Sequence, residues 1–268
     1  MAAKRHEADP IGPYYRFAAL VIEPFMKVNT RRDRRGVENL ERVYPPHDGI
    51  IVVANHMSWF DPMNIAHVLW DAGRPPRFLA KDKLFELPLF GRLLNGAGQI
   101  PVYRDSDDPA SAIRDAVAAI NNGKTVVIYP EGTMTRDPDF WPMTGRTGAA
   151  QLAFATGAPV IPLAQWGPQE VMRPYSKEFK IWPRKTMHTL VGEPIDLDDL
   201  RKKKTTKAVL DEATDRIVHR ITELLEELRG EKAPEDRLDY RQWREAQKAK
   251  KAAGKKTEGK SEGKGDTV

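Results

Sequence analysis

The sequence predicts an α/β fold: a largely parallel or mixed central sheet flanked by helices, with an N-terminal amphipathic helical segment and a disordered C-terminal tail. Three observations predict it. Ile50-Ile51-Val52-Val53-Ala54, Thr125-Val126-Val127-Ile128-Tyr129 and Pro159-Val160-Ile161-Pro162-Leu163-Ala164 are short apolar runs of strand length. Helical patterns separate them, with Ala112, Ile113, Ala116, Val117 and Ile120 on one face of a stretch over residues 108–121. Beyond Lys248 the chain is almost entirely Lys, Glu, Gly and Ala, a composition that cannot bury a core.

At 268 residues the chain holds one large domain plus a tail, or two small domains. The composition divides it into residues 1–35, an amphipathic helix with a basic membrane-contact segment; 36–230, the α/β domain; and 231–268, a charged, mostly disordered tail. A formal net charge of +5 favours an anionic partner: nucleic acid, anionic lipid or a phosphorylated substrate. With no cysteine, a disulfide framework, a thiolate metal site and a cysteine nucleophile are excluded. The six histidines show no paired ligand spacing, so no metal and no cofactor is expected. No apolar run is long enough to span a bilayer, and Met1 to Pro13 lacks a signal-peptide pattern. The expectation is an intracellular protein whose membrane contact is peripheral.

Taken in order, Tyr14 to Val28 is predicted to be an amphipathic helix broken near Pro24, followed by Arg31-Arg32-Asp33-Arg34-Arg35. Two readings fit: an interfacial anchor on anionic lipid, or a helix packed on the core with a solvated basic turn. Residues 36–44 read as strand and turn, and Pro45 to Gly49 as a loop. After the strand at Ile50 comes Asn55-His56-Met57-Ser58-Trp59-Phe60-Asp61, then a helix from Pro62 to Trp70. Arg77 to Ala80 and Ile100 to Val102 are short strands. Between them Leu84 to Leu94 is rich in large apolar residues. Helices are expected over 145–156, stopped by Gly157, and over 206–228. Phe179 to Trp182 and Thr186 to Val191 read as a further strand pair.

Chemistry concentrates where strands end. An imidazole is the usual group for taking a proton from a hydroxyl, and it needs a partner to fix its tautomer. Five residues apart on a helix, His56 and Asp61 would stand about 140° out of line. They meet only if the intervening loop is not helical. The other reading is that Asp61 caps the helix and His56 is incidental. No Gly-x-Ser-x-Gly elbow is present, and nothing marks Ser58 as activated. A base without a protein nucleophile points to direct attack by a substrate hydroxyl on an activated acyl group. After the strand at Thr125, Glu131-Gly132-Thr133 with Thr135 and Arg136 forms a turn with exposed amides, hydroxyls and a guanidinium. It is either a phosphate cradle or a surface turn with a Glu–Arg pair. Arg104, at the end of Gly98 to Arg104, is either a phosphate ligand or a solvated residue. The tail has lysines but few aromatics beyond Tyr240 and Trp243, so nucleic acid is not an expected partner.

Together these stretches resemble the glycerolipid acyltransferase family typified by 1-acyl-sn-glycerol-3-phosphate acyltransferase. Its Asn-His-x-x-x-x-Asp block is matched by Asn55, His56 and Asp61. Gly98 to Arg104 resembles the second block, Pro130 to Thr133 the Pro-Glu-Gly-Thr block, and Val160 to Leu163 the fourth. Lys83 to Gly91 looks like the family's link between the first two. The resemblance covers roughly residues 36–194. It implies that His56 deprotonates the acceptor hydroxyl with support from Asp61, and that the alkoxide attacks the thioester of acyl-CoA or acyl-carrier protein. It implies that Arg104, Glu131, Gly132, Thr133 and Arg136 bind the phosphate of a lysophospholipid acceptor. It also implies work at an anionic membrane surface, on the cytoplasmic face of the cell membrane. In that setting Leu84, Phe85, Leu89 and Phe90 are expected to line an acyl-chain groove, dip into the bilayer or pack as ordinary core. One departure stands out: the family's commonest third block has an arginine directly after the threonine. Here Met134 stands there and Arg136 follows two residues later.

Overall fold

The computed structural model describes residues 12–42, 49–103 and 111–249. Its sheet has seven strands in the order β1-β7-β6-β2-β5-β3-β4. These are β1 (Thr30–Arg35), β2 (Ile50–Ala54), β3 (Pro76–Lys81), β4 (Ile100–Val102), β5 (Thr125–Ile128), β6 (Val160–Trp166) and β7 (Lys185–Val191). Five run parallel, from β6 through β2, β5 and β3 to β4. β7 joins β6 antiparallel and β1 joins β7 parallel, so the sheet is mixed.

Both faces are covered, which is why the central strands read as unbroken apolar runs. Ile51 and Val53 face a cluster built with α5 (Ser111–Asn121), α6 (Gly148–Thr156) and α9 (Lys207–Arg229). Ile50, Val52 and Ala54 face Ile65, Val68 and Leu69 of α3 (Asp61–Asp71) and Leu40 of α2 (Glu38–Glu41). α1 (Pro13–Asn29) lies over α3 and α4 (Phe90–Gly96). Two single-turn helices, α7 (Pro168–Val171) and α8 (Asp198–Arg201), complete the described elements. α9 starts on Thr206, whose hydroxyl accepts from the Val209 amide, and stops at Gly230 in the left-handed region.

Several elements differ from expectation. The helix expected to break at Pro24 is continuous from Pro13 to Asn29. The Leu20 carbonyl that Pro24 leaves without its helical donor belongs to a residue 72% exposed, so solvent can reach it. The basic cluster expected as a turn is β1, and the strand expected over 36–44 gives way to the helical turn α2. Arg32 and Arg34 pair with Asp71, Arg35 pairs with Glu227, and Asp33 bonds His188. Of the expected pair near residue 180, only β7 is a strand. Of the tail expected to be charged and mostly disordered over 231–268, residues 231–249 are described, exposed or half-buried throughout, with a helical stretch over 240–249. Residues 250–268 lie outside the described chain.

Candidate active site

Register brings the site together. Val53 of β2 lies opposite Ile128 of β5, and three residues beyond each stand His56 and Glu131. The backbone N–H of His56 donates to Glu131 Oε1 at 3.2 Å, and the Met143 N–H donates to Oε2 at 3.0 Å. The Thr135 N–H donates to the His56 carbonyl at 2.7 Å. On the other side Asn55 Nδ2 donates to the Gln165 carbonyl at 3.0 Å, and the Gln165 N–H donates to Asn55 Oδ1 at 2.9 Å. The side-chain amide thus continues the β2–β6 ladder by one step. Asn64 of α3 donates to Gln165 Oε1 at 3.0 Å and closes this buried network.

The loop between β2 and α3 is not helical, and it brings His56 Nδ1 within 2.8 Å of Asp61 Oδ2. The same oxygen accepts the N–H groups of Met57 at 2.6 Å and Ser58 at 2.7 Å. Asp61 is fully buried, and burial pushes its carboxyl up, opposed by the His56 ring and the two amides. The expected capping role is corrected. Asp61 is the first residue of α3, the position before it is Phe60, and the carboxylate reaches back to the loop amides. A carboxylate held this way makes Nδ1 the donor and leaves Nε2 as the acceptor. The imidazole side chain keeps 16% of its surface exposed, and its ring stacks on Tyr129 with centroids 4.0 Å apart. Ser58 is fully buried, and its hydroxyl donates to the Met172 carbonyl at 2.6 Å, so it is no nucleophile.

The second expected site separates into parts. Glu131 is 2% exposed and its two oxygens are spent on the His56 and Met143 amides. It ties the His56 loop to the segment around Met143, a positioning role in contrast to the phosphate contact expected. Burial pushes its carboxyl up to about 8. Gly132 turns the chain at φ +69°, a value that only glycine adopts without strain. Thr133 Oγ1 lies 3.5 Å from the Tyr175 hydroxyl, which donates to the Met134 carbonyl at 2.6 Å. The Arg136 guanidinium lies against the Tyr175 ring, 3.3 Å from its centroid, and 4.7 Å from that of Trp243. It is engaged with two aromatic faces, one of them the Tyr175 ring whose hydroxyl borders Thr133. Arg104 lies outside the described residues. Among those residues, no group of three or more His, Asp or Glu has the arrangement of a metal site.

The segment expected to line an acyl-chain groove, dip into the bilayer or pack as core is partly open to solvent. Leu84 and Phe85 are half-buried, whereas Leu89 is 77% exposed with φ +63° and Phe90 is 46% exposed. Leu89 and Phe90 are therefore not ordinary core. Sequence reasoning passed over Tyr129, Gln165, Asn64 and Met143, which hold the His56 loop directly or through Glu131 and Asn55. Tyr129 was readable as the residue ending a strand beside the Pro-Glu-Gly-Thr turn. The others depend on pairings across the sheet that spacing does not reveal.

Comparison with known proteins agrees with this geometry. Residues 33–166 match the Acyltransferase family. The chain is 29% identical over 157 residues to the chloroplastic 1-acyl-sn-glycerol-3-phosphate acyltransferase of Brassica napus, covering 58% of this chain and 42% of that protein. The chain thus spans less than half the length of that relative. It is 24% identical over 219 residues to the 1-acyl-sn-glycerol-3-phosphate acyltransferase of Bacillus subtilis, covering 80% of this chain and 100% of that protein. The crystal structure of the 1-acyl-sn-glycerophosphate acyltransferase PlsC from Thermotoga maritima shares the fold. Its TM-score is 0.60 at 24% identity, covering 82% of this chain and 83% of that one. With a match over residues 33–166 that includes the His56–Asp61 pair, the chain belongs to the Acyltransferase family.

Proposed function

We propose that this protein transfers a fatty acyl group from acyl-CoA or acyl-carrier protein to the free hydroxyl of 1-acyl-sn-glycerol 3-phosphate, giving phosphatidic acid for phospholipid synthesis. The observation that carries this reading is the 2.8 Å contact between His56 Nδ1 and a fully buried Asp61, with no activated protein nucleophile beside it. His56 Nε2 takes the proton of the acceptor hydroxyl while Asp61 stabilises the imidazolium. The alkoxide attacks the thioester carbonyl. The tetrahedral intermediate collapses with loss of the thiolate, which takes the proton back from His56. Replacing His56 by Ala and following thioester consumption with lysophosphatidic acid tests it. A loss of about 10²–10⁴-fold is expected for a general base. Activity equal to wild type would remove His56 from the mechanism.

We place this reaction at the cytoplasmic face of the cell membrane, with the protein bound peripherally. Among the described residues no helix is long and apolar enough to cross a membrane. The support is one outer face of α1, where Phe17 is 59%, Leu20 72%, Val21 54% and Val28 63% exposed. Phe179 and Trp182 continue that surface, Phe179 reaching Phe60, whose ring also meets Phe25 of α1. The exposed Arg16 and Arg31 flank it.

A further inference from the structure

We infer that Arg146 is the cation that binds the acceptor phosphate, in place of the arginine that Met134 displaces from the third block. This rests on the lysophosphatidic acid reading above. Met134 brings no charge to the turn, and Arg136 is already engaged by aromatic rings. Met134 is apolar and 4% exposed. Arg136 is held against the rings of Tyr175 and Trp243, and its Nε is buried without a hydrogen-bond partner among the described residues.

Arg146 arrives from the other end of the same loop. Its N–H donates to the Pro130 carbonyl at 2.8 Å, which ties the backbone to the turn. Its side chain then runs along the bare α-carbon of Gly132. A Cβ on Gly132 would stand 3.0 Å from Arg146 Cδ, 3.1 Å from Nε and 3.6 Å from Cζ. Gly132 therefore has two constraints, the positive φ of the turn and the close passage of this guanidinium. The residue is exposed, so an incoming ligand can reach it. The turn it covers is built into the catalytic loop: Glu131 holds the His56 amide, and Tyr129 stacks on the imidazole at 4.0 Å. A planar guanidinium at this place matches a phosphate monoester better than an ammonium would. Thr133, next along the turn, offers a hydroxyl to the same group.

The test is steady-state kinetics of the full chain, varying acceptor and donor separately, with lysophosphatidic acid and with an uncharged monoacylglycerol. Arg146→Met is expected to raise the KM for lysophosphatidic acid about 10- to 100-fold. The KM for the thioester, the rate on monoacylglycerol and the melting temperature should stay at wild-type values. Arg146→Lys should recover part of the loss, because charge returns without the planar fork. Arg146→Gln keeps a polar stem along Gly132 without the charge, and it decides the case should the methionine variant not fold. An unchanged acceptor KM would overturn the assignment. So would an equal loss with charged and uncharged acceptors, which would make Arg146 structural. Wild-type protein that acylates no phosphate-bearing acceptor would overturn the function proposed above, a result separate from any effect of Arg146.

Discussion

Glu131 accepts two backbone N–H bonds at the end of β5 in a place where water does not reach. Its carboxyl titrates at about 8 in the folded chain against 4.5 ordinarily. Between those values the folded protein holds a proton that the unfolded chain has lost. Stability from this group is therefore full below about 4.5 and declines as pH rises through about 8. Glu131→Gln removes the titration. Thermal melts across this range should give a flatter pH dependence for the variant, and equal slopes would place the titration elsewhere. Asp61→Asn should retain the fold and lose about 10²–10⁴-fold in turnover, because an amide cannot stabilise the imidazolium. Turnover near wild type would reduce Asp61 to a structural support. The two residues show what local sequence could reveal. The strand end before His56 and the proline after Asp61 made their meeting legible. The depth of Glu131 was not legible, since it is set by Met143, twelve residues on and brought back by the loop.

At the scale of elements, α1 has two apolar sides with different destinations. Met26 is fully buried among Phe60, Val171 and Met187, and Tyr15 stacks on Trp70 with centroids 5.5 Å apart. The opposite side carries Phe17, Leu20, Val21 and Val28 in the open. The buried side matches the reading of a helix packed on the core, and the open side is the one on which the membrane proposal rests. Periodicity found the helix but could not assign its faces, because nearly every position is apolar. Of the arginines that follow, for which lipid contact and a solvated turn are the two sequence readings, three pair with acidic residues of the protein. Deleting the segment would remove an edge strand and part of the core, so point changes are the cleaner probe. Phe17→Glu with Leu20→Glu should lower flotation with anionic vesicles and leave the melting temperature unchanged. Met26→Ala should do the reverse, costing about 2–5 kcal/mol of stability. Vesicle binding that survives the double glutamate variant would move the membrane contact off α1.

At the scale of the whole molecule, the chain after α9 closes the loop that links Glu131 to Arg146. Arg229, the last residue of α9, already reaches that loop, its guanidinium 3.9 Å from the centroid of Trp141 and 4.3 Å from that of Trp166, and it donates to the Asp139 carbonyl at 2.7 Å. The Leu238 carbonyl then accepts the Thr144 N–H at 3.1 Å, and Trp243 reaches Arg136. Charge made this stretch read as disordered, and its few apolar residues follow no helical or strand period. Ala233, Leu238 and Trp243 gain their meaning only from partners about a hundred residues earlier in the chain. The consequence is that the loop bearing the Gly132 turn at one end and Arg146 at the other is held from outside by Arg229 together with residues 231–249. A chain ending after Gly230 should melt at a lower temperature and acylate lysophosphatidic acid with a raised acceptor KM, because both ends of the loop gain freedom. A chain ending after residue 249 should match the full-length protein in both. If both truncations behave alike, the loop is held by α9 alone, and the segment from 231 to 249 is a passenger on its surface.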